Sequence, residues 1–145
     1  MIQVTKLASA SIALSAGLIA ALGLLHLVLT FHGTALHPRD SDLRSKMENA
    51  LLVLTKETTM WKAWIGFNAS HSLGMILFGV IYGYLALAQR PLLFRSRFLL
   101  LSGLMMLTAY AYLCRQYFFS GPFRMVVLAG ILYFTGMVVG LVGTT

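Results

Sequence analysis

The sequence predicts an all-α membrane protein: an antiparallel bundle of four transmembrane helices with an amphipathic helix between spans 1 and 2. Three observations predict it. Only 10% of the 145 residues are charged and 59% are hydrophobic, against roughly 25% charged in a soluble domain. The apolar residues gather into four long uncharged runs, each close to or above the ~20 residues a helix needs to cross hydrocarbon. Runs two to four are separated only by short polar breaks around 89–91 and 120–122, which suits antiparallel neighbours. Backbone groups in lipid must be satisfied within the protein, and runs this continuously apolar do so as helices, not as barrel strands. The length is that of one domain, so we read a single membrane domain over 1–145.

The spans are expected at about 7–31, 63–88, 98–119 and 123–143. Lys6 ahead of an apolar stretch has the look of a secretion signal. The stretch is longer than the ~7–15 residues of such a region, and no small-x-small site follows Phe31, so an uncleaved first span is expected. Pro122 suits the first turn of span 4, where a missing N–H costs little.

All four acidic residues, Asp40, Asp42, Glu48 and Glu57, fall in the connection between spans 1 and 2. Leu43, Met47, Ala50, Leu51 and Leu54 recur there at three- and four-residue spacing, while Arg44, Lys46 and Glu48 fall mostly elsewhere around the wheel. That pattern predicts an amphipathic helix over 41–56, on the membrane surface or capping the bundle, with Ser45 and Glu48 as a capping pair.

Orientation follows from the cations. Arg90, Arg95 and Arg97 cluster in the second connection and Lys6 precedes span 1, which favours cytoplasmic termini. Arg39, Arg44, Lys46, Lys56, Lys62, Arg115 and Arg124 then lie on the other side, so the asymmetry is small. The net charge of +7 fits contact with anionic lipid headgroups. No nucleic-acid motif accompanies it.

The segment WKAWIGFNASHSLG, 61–74, carries polar groups into an apolar run, and polar side chains at that depth must face protein, ligand or water. Asn68 and His71 share a helix face with Trp64 and Met75. In an antiparallel pair, His26 and His71 come within about 5 Å of the same level at ~1.5 Å per residue. Tyr110, Tyr112 and Arg115 lie near the corresponding end of span 3. The polar groups are therefore expected in one leaflet, with the other half of the bundle nearly bare of hydrogen-bonding groups.

Several roles fit that layer. Histidine and asparagine bond neighbouring helices in membranes, typically for ~0.6–2 kcal/mol. Arg115 can snorkel, while Trp61, Trp64, Tyr117 and Phe119 resemble an interfacial aromatic belt. A quinone, lipid or sterol-like ligand would use Trp64, Asn68, His71, Tyr112 and Arg115 on its polar head, with Met75, Met105 and Met106 along its tail. Haem b is a further alternative, with His26 and His71 as axial ligands of the iron. A proton relay is open to histidine but is weakened because no acid lies inside a span.

Other chemistries are disfavoured. Cys114 is the only cysteine, so paired-cysteine redox or metal motifs are excluded. Nucleotide-binding, HExxH and GxSxG motifs are absent from the sequence, and His32 with His37 makes a poor zinc pair. With no nucleophile, metal set or carboxylate pair in the spans, a conventional enzyme is the weaker reading. Helix contacts have clearer signals. Gly66, Ser70 and Gly74, then Gly79 and Gly83, and then Gly136 and Gly140 recur every four residues, as small residues do where helices approach closely.

The segments LLHLVLTFHGTALHPRD, ETTMWKAWIGFNASHSLG and FGVIYGYLAL together resemble a group of small bacterial membrane proteins of unknown function, over roughly the first three spans. That resemblance implies a bacterial four-helix inner-membrane protein and carries no activity or site with it. The outline is also similar to small four-span proteins of the DoxX-like kind, as a fold analogy only. The expected role is an accessory or structural subunit of a membrane complex, in contact with lipids and other membrane-protein subunits. Binding of an apolar ligand or haem b is the alternative.

Overall fold

The computed structural model describes residues 2–143, with side chains from Lys6 onward. The described residues contain helices and no strand: α1 (Ile2–Phe31), α2 (Ser41–Asn49), α3 (Met60–Ala88), α4 (Arg90–Arg95), α5 (Arg97–Tyr117) and α6 (Ser120–Val142). Four stretches, Lys6–Phe31, Met60–Ala88, Arg97–Tyr117 and Ser120–Val142, are long and apolar enough to cross a membrane. They match the four expected runs, with α3 and α6 beginning slightly earlier. Pro122 falls in the first turn of α6, where an intrahelical N–H bond is not required.

The chain divides into two compact units, Met1–Leu22 with Met75–Thr145, and Gly23–Gly74. The first unit takes a segment from each of the four long helices and builds an apolar core. Ile12, Ile19, Leu93, Leu100, Leu107, Val126 and Tyr133 are among its fully buried side chains. Small residues set how closely its helices approach. A Cβ on Gly79 would stand 2.6 Å from the Ala16 carbonyl oxygen, and one on Gly136 would stand 2.7 Å from that of Ala8. Neither backbone atom can rotate away, so only glycine fits at these two crossings. Gly83, by contrast, makes an ordinary contact with Ala16.

Tyr133 explains a third glycine. Its ring packs on Gly103, and its hydroxyl donates to the Leu100 carbonyl at 3.2 Å. Tyr82 donates to the Leu99 carbonyl at 2.8 Å, and the Tyr82 and Tyr133 rings meet edge to face with centroids 5.6 Å apart. Two serines join α1 to α6: Ser11 Oγ donates to the Leu132 carbonyl at 2.7 Å and Ser15 Oγ to the Ala129 carbonyl at 2.6 Å. The expectation of a half nearly bare of hydrogen-bonding groups is therefore corrected. The hydroxyls of Ser11, Ser15, Tyr82 and Tyr133 donate to neighbouring helix carbonyls, because hydrocarbon offers them no other acceptor, whereas the buried Ser9 Oγ has no hydrogen-bond partner among the described residues.

The short helix α4 is a second departure, since the sequence pattern suggests only a polar break there. Pro91 occupies its first turn, and Leu93 and Phe94 are buried. The Phe94 ring lies on Gly140, where a Cβ would overlap it. Ser96 then caps α5 by accepting from the Leu99 N–H at 3.2 Å.

The second unit holds the end of α1, the connection with α2, and the first half of α3. The spacing predicts a helix over 41–56, but α2 ends at Asn49. Its N-cap is Asp40, whose carboxylate accepts from the Asp42 N–H at 2.9 Å. Ser45 lies inside the helix, so the Ser45–Glu48 capping pair is also corrected. Beyond Asn49 the backbone turns extended at Ala50. Leu51 and Thr59 then pair as an isolated antiparallel bridge, and Met60 N–H donates to the Ala50 carbonyl at 2.9 Å. Val53, Thr55, Thr58 and Thr59 are β-branched and disfavour helix. The Ala50 carbonyl is taken by the Met60 N–H instead of the Leu54 N–H that a continued helix would offer, and α2 stops at Asn49.

Candidate functional site

The polar residues of 61–74 meet the end of α1 inside the second unit. Asn68 organises the cluster. Its Nδ2 donates to the Trp64 carbonyl one turn back at 2.8 Å, which turns Oδ1 toward His26 Nε2 at 2.9 Å. An amide oxygen only accepts, so His26 donates through Nε2–H. Asn68 is 7% exposed, and the pair joins α1 to α3 across 42 positions of sequence. The neighbouring backbone acceptors are also occupied. Thr30 Oγ1 donates to the His26 carbonyl at 2.7 Å, and Ser72 Oγ donates to the Asn68 carbonyl at 2.8 Å.

His71 stands one turn beyond Asn68. Its ring meets that of His26 edge to face, with centroids 5.6 Å apart and planes at 84°. The matched depth inferred from the spacing is thus an actual juxtaposition of the two imidazoles. As arranged, His26 Nε2 is engaged by Asn68, so axial ligation of iron through that nitrogen would require giving up this bond. Among the described residues no group of three or more His, Cys, Asp or Glu side chains is placed to hold a metal ion.

The other candidate residues are positioned differently. Trp64 contributes its backbone carbonyl to Asn68, while its ring is exposed and its Nε1–H donates to the Leu36 carbonyl at 3.3 Å. Tyr112 and Arg115 belong to the first unit. Tyr112 is 62% exposed, and the Arg115 guanidinium lies 5.6 Å from the centre of the Phe123 ring. Of the methionines suggested for a ligand tail, Met75 is buried in the apolar core, whereas Met105 and Met106 are exposed.

A second cluster in the same unit has no counterpart in the sequence reading. Arg44 on α2 donates through Nε to Glu48 Oε1 at 3.0 Å and through a terminal nitrogen to His37 Nδ1 at 2.9 Å. Its guanidinium carbon sits 5.0 Å from the centre of the Trp61 ring. The His37 ring meets Trp61 edge to face, also at 5.0 Å between centroids. Together with the Trp64–Leu36 bond, these contacts latch the 36–48 segment onto the first turns of α3. The one signal in the sequence is the Arg44–Glu48 spacing of four. Nothing local ties either residue to His37 or Trp61.

Chemically, the Asn68 cluster can fix helix geometry and hold a proton on a defined nitrogen. All four acids of the sequence lie between 40 and 57, outside the helices that carry the two imidazoles. In comparison with known proteins, no family model, curated protein or solved structure matches this chain.

Proposed function

We propose that this protein is a small polytopic membrane protein that serves as an accessory or structural subunit of a membrane complex. The observation that carries the reading is where the polar side chains of the spans send their hydrogen bonds. Ser11, Ser15, Thr30, Asn68, Ser72, Tyr82 and Tyr133 all donate to protein carbonyls. Groups used this way shape helices and fasten them together instead of awaiting a substrate.

The finer architecture in this reading is an antiparallel bundle. It is supported by contacts that advance on α1 as they retreat on the partner helix: Ser11 to Leu132 and Ser15 to Ala129, and likewise Ala16 to Gly83 and Ala20 to Gly79. In the same reading α2 is amphipathic and lies at the surface, with Leu43 and Met47 one turn apart. The arginine cluster at 90–97 favours cytoplasmic termini. The resemblance of 61–74 to small bacterial proteins favours a bacterial inner membrane.

The facing imidazoles favour a second reading, in which the layer around His26 and His71 holds an apolar ligand such as a quinone or lipid. One experiment separates the two: native mass spectrometry of the protein gently extracted from its own host. The subunit reading expects other polypeptides at fixed stoichiometry, unaffected by His71→Ala. A stoichiometric small molecule that His71→Ala releases would replace it with the ligand reading.

A further inference from the structure

Outside the spans, the connection leading into α3 presents an apolar run that the protein leaves uncovered. Leu51, Val53 and Leu54 are exposed around a half-buried Leu52, with Val53 at 110% and Leu54 at 91% of full exposure. Consecutive exposed apolar residues are anomalous in water and call for a partner. The run is not a loose coil. The Leu51–Thr59 bridge and the Met60-to-Ala50 hydrogen bond close the base of a loop. The Glu57 N–H, donating to Thr55 Oγ1 at 3.2 Å, turns its far side.

The position of that base identifies the partner. Thr59 immediately precedes α3, whose 29 residues extend about 43 Å at ~1.5 Å per residue. That exceeds the ~30 Å of bilayer hydrocarbon and matches the ~40–45 Å reached once headgroups are included. The start of α3, and the loop fastened to it, are therefore held at headgroup level. Trp61 and Trp64 sit in the first two turns, as amphipathic rings do at that depth. Lys56 and Lys62 are exposed on either side of the bridge, where lipid phosphates would meet them. We infer that the 51–59 loop is a lipid anchor, with Val53 and Leu54 inserted at the acyl–headgroup boundary of the bilayer that α3 crosses. This inference rests on the four spans and not on the subunit role.

The unmodified chain provides the test. It is reconstituted in nanodiscs of phosphatidylcholine and phosphatidylglycerol bearing diazirine acyl chains, photolysed, and digested with trypsin. Cleavage at Lys46 and Lys56 isolates the tip as the 47–56 peptide. A parallel sample is footprinted with hydroxyl radicals generated in the water. The anchor expects lipid-derived label on Val53 and Leu54 at a level near that of exposed Leu77 within α3, and several-fold above the 40–44 peptide of α2. It also expects little hydroxyl labelling of the tip. With both Val53→Asp and Leu54→Asp introduced, the lipid label should leave the 47–56 peptide and persist on α3. Hydroxyl labelling of the tip equal to that of α2 would overturn the inference by putting the loop in water. Low labelling by both reagents would overturn it too, since protein would then cover the tip.

Discussion

The two compact units of this chain are held together by different physics. Among the described residues, every fully buried hydrophobic side chain belongs to Met1–Leu22 with Met75–Thr145, while the buried side chains of Gly23–Gly74 are Thr30, Asn68 and Ser72. In the first unit, contact is made by interlocking shapes around glycines, so its cohesion depends on volume. In the second, cohesion depends on a few directed hydrogen bonds and one cation–π contact. Volume-based packing fails steeply when atoms are added, whereas a hydrogen-bonded cluster in a membrane loses about 0.6–2 kcal/mol per broken link. The difference locates adaptability in 23–74, where the two imidazoles and the uncovered loop also reside.

The largest expected effect tests the packed unit. Alanine is a better helix former than glycine by about 1 kcal/mol, so Gly79→Ala and Gly136→Ala should stabilise if packing were irrelevant. The added Cβ would instead meet backbone carbonyl oxygens. We expect each variant to lose about 1–3 kcal/mol or more, read as a lowered midpoint of thermal unfolding in mild detergent. An unchanged midpoint in both would break the comparison at its root.

Next in size is the Asn68–His26 link. Asn68→Ala removes the acceptor of the His26 Nε2–H and should cost about 1–3 kcal/mol by leaving that proton unsatisfied. A cycle with His26→Ala isolates the pair, for which we expect a coupling of about 0.6–2 kcal/mol. Zero coupling, with each single variant still destabilised, would mean that the two side chains act through other neighbours.

Smaller again is the Arg44 latch. Arg44→Ala loses a partly exposed cation–π contact worth about 0.5–1 kcal/mol and a solvent-screened ion pair of less value. Global stability should move little, while amide exchange across 36–48 should accelerate. Glu48→Gln, which leaves His37 and Trp61 in place, should accelerate it less. Equal acceleration by both variants would assign the latch to the ion pair instead.

The physics that separates the units also decided what the sequence could disclose. Span positions were legible because hydrocarbon imposes a length and a composition on any crossing helix. The approach of His26 to His71 was legible because both lie on regular helices, where depth follows from residue number. The Arg44–His37–Trp61 cluster was not, since it depends on the path of an irregular connection between two helices. The end of α2 at Asn49 is hidden for a related reason. Leu51 and Leu54 continue an apolar spacing, but the decisive event is a backbone bridge to Thr59 that periodicity does not encode. Ser11 and Ser15 are legible in the sequence only as small residues of an apolar span. Their bonds to α6 carbonyls require knowing which helix lies opposite.

Glycine spacing illustrates the same limit and supplies the finest test. Gly66 belongs to the four-residue repeat of small residues on α3 just as Gly79 continues its small-residue pattern, yet a Cβ at Gly66 meets nothing within 4 Å. The repeat alone cannot distinguish them; only the neighbouring backbone can. Gly66→Ala should therefore be neutral or stabilising, by up to about 1 kcal/mol from helix propensity, in the detergent assay where Gly79→Ala is damaging. The same variant in the native membrane asks a further question, because open space in one chain can be a contact surface in a complex. Retained stability in detergent with loss of co-purifying polypeptides would put the subunit interface on the Gly66 face of α3. Retention of both would leave Gly66 without a part in the proposed subunit contact.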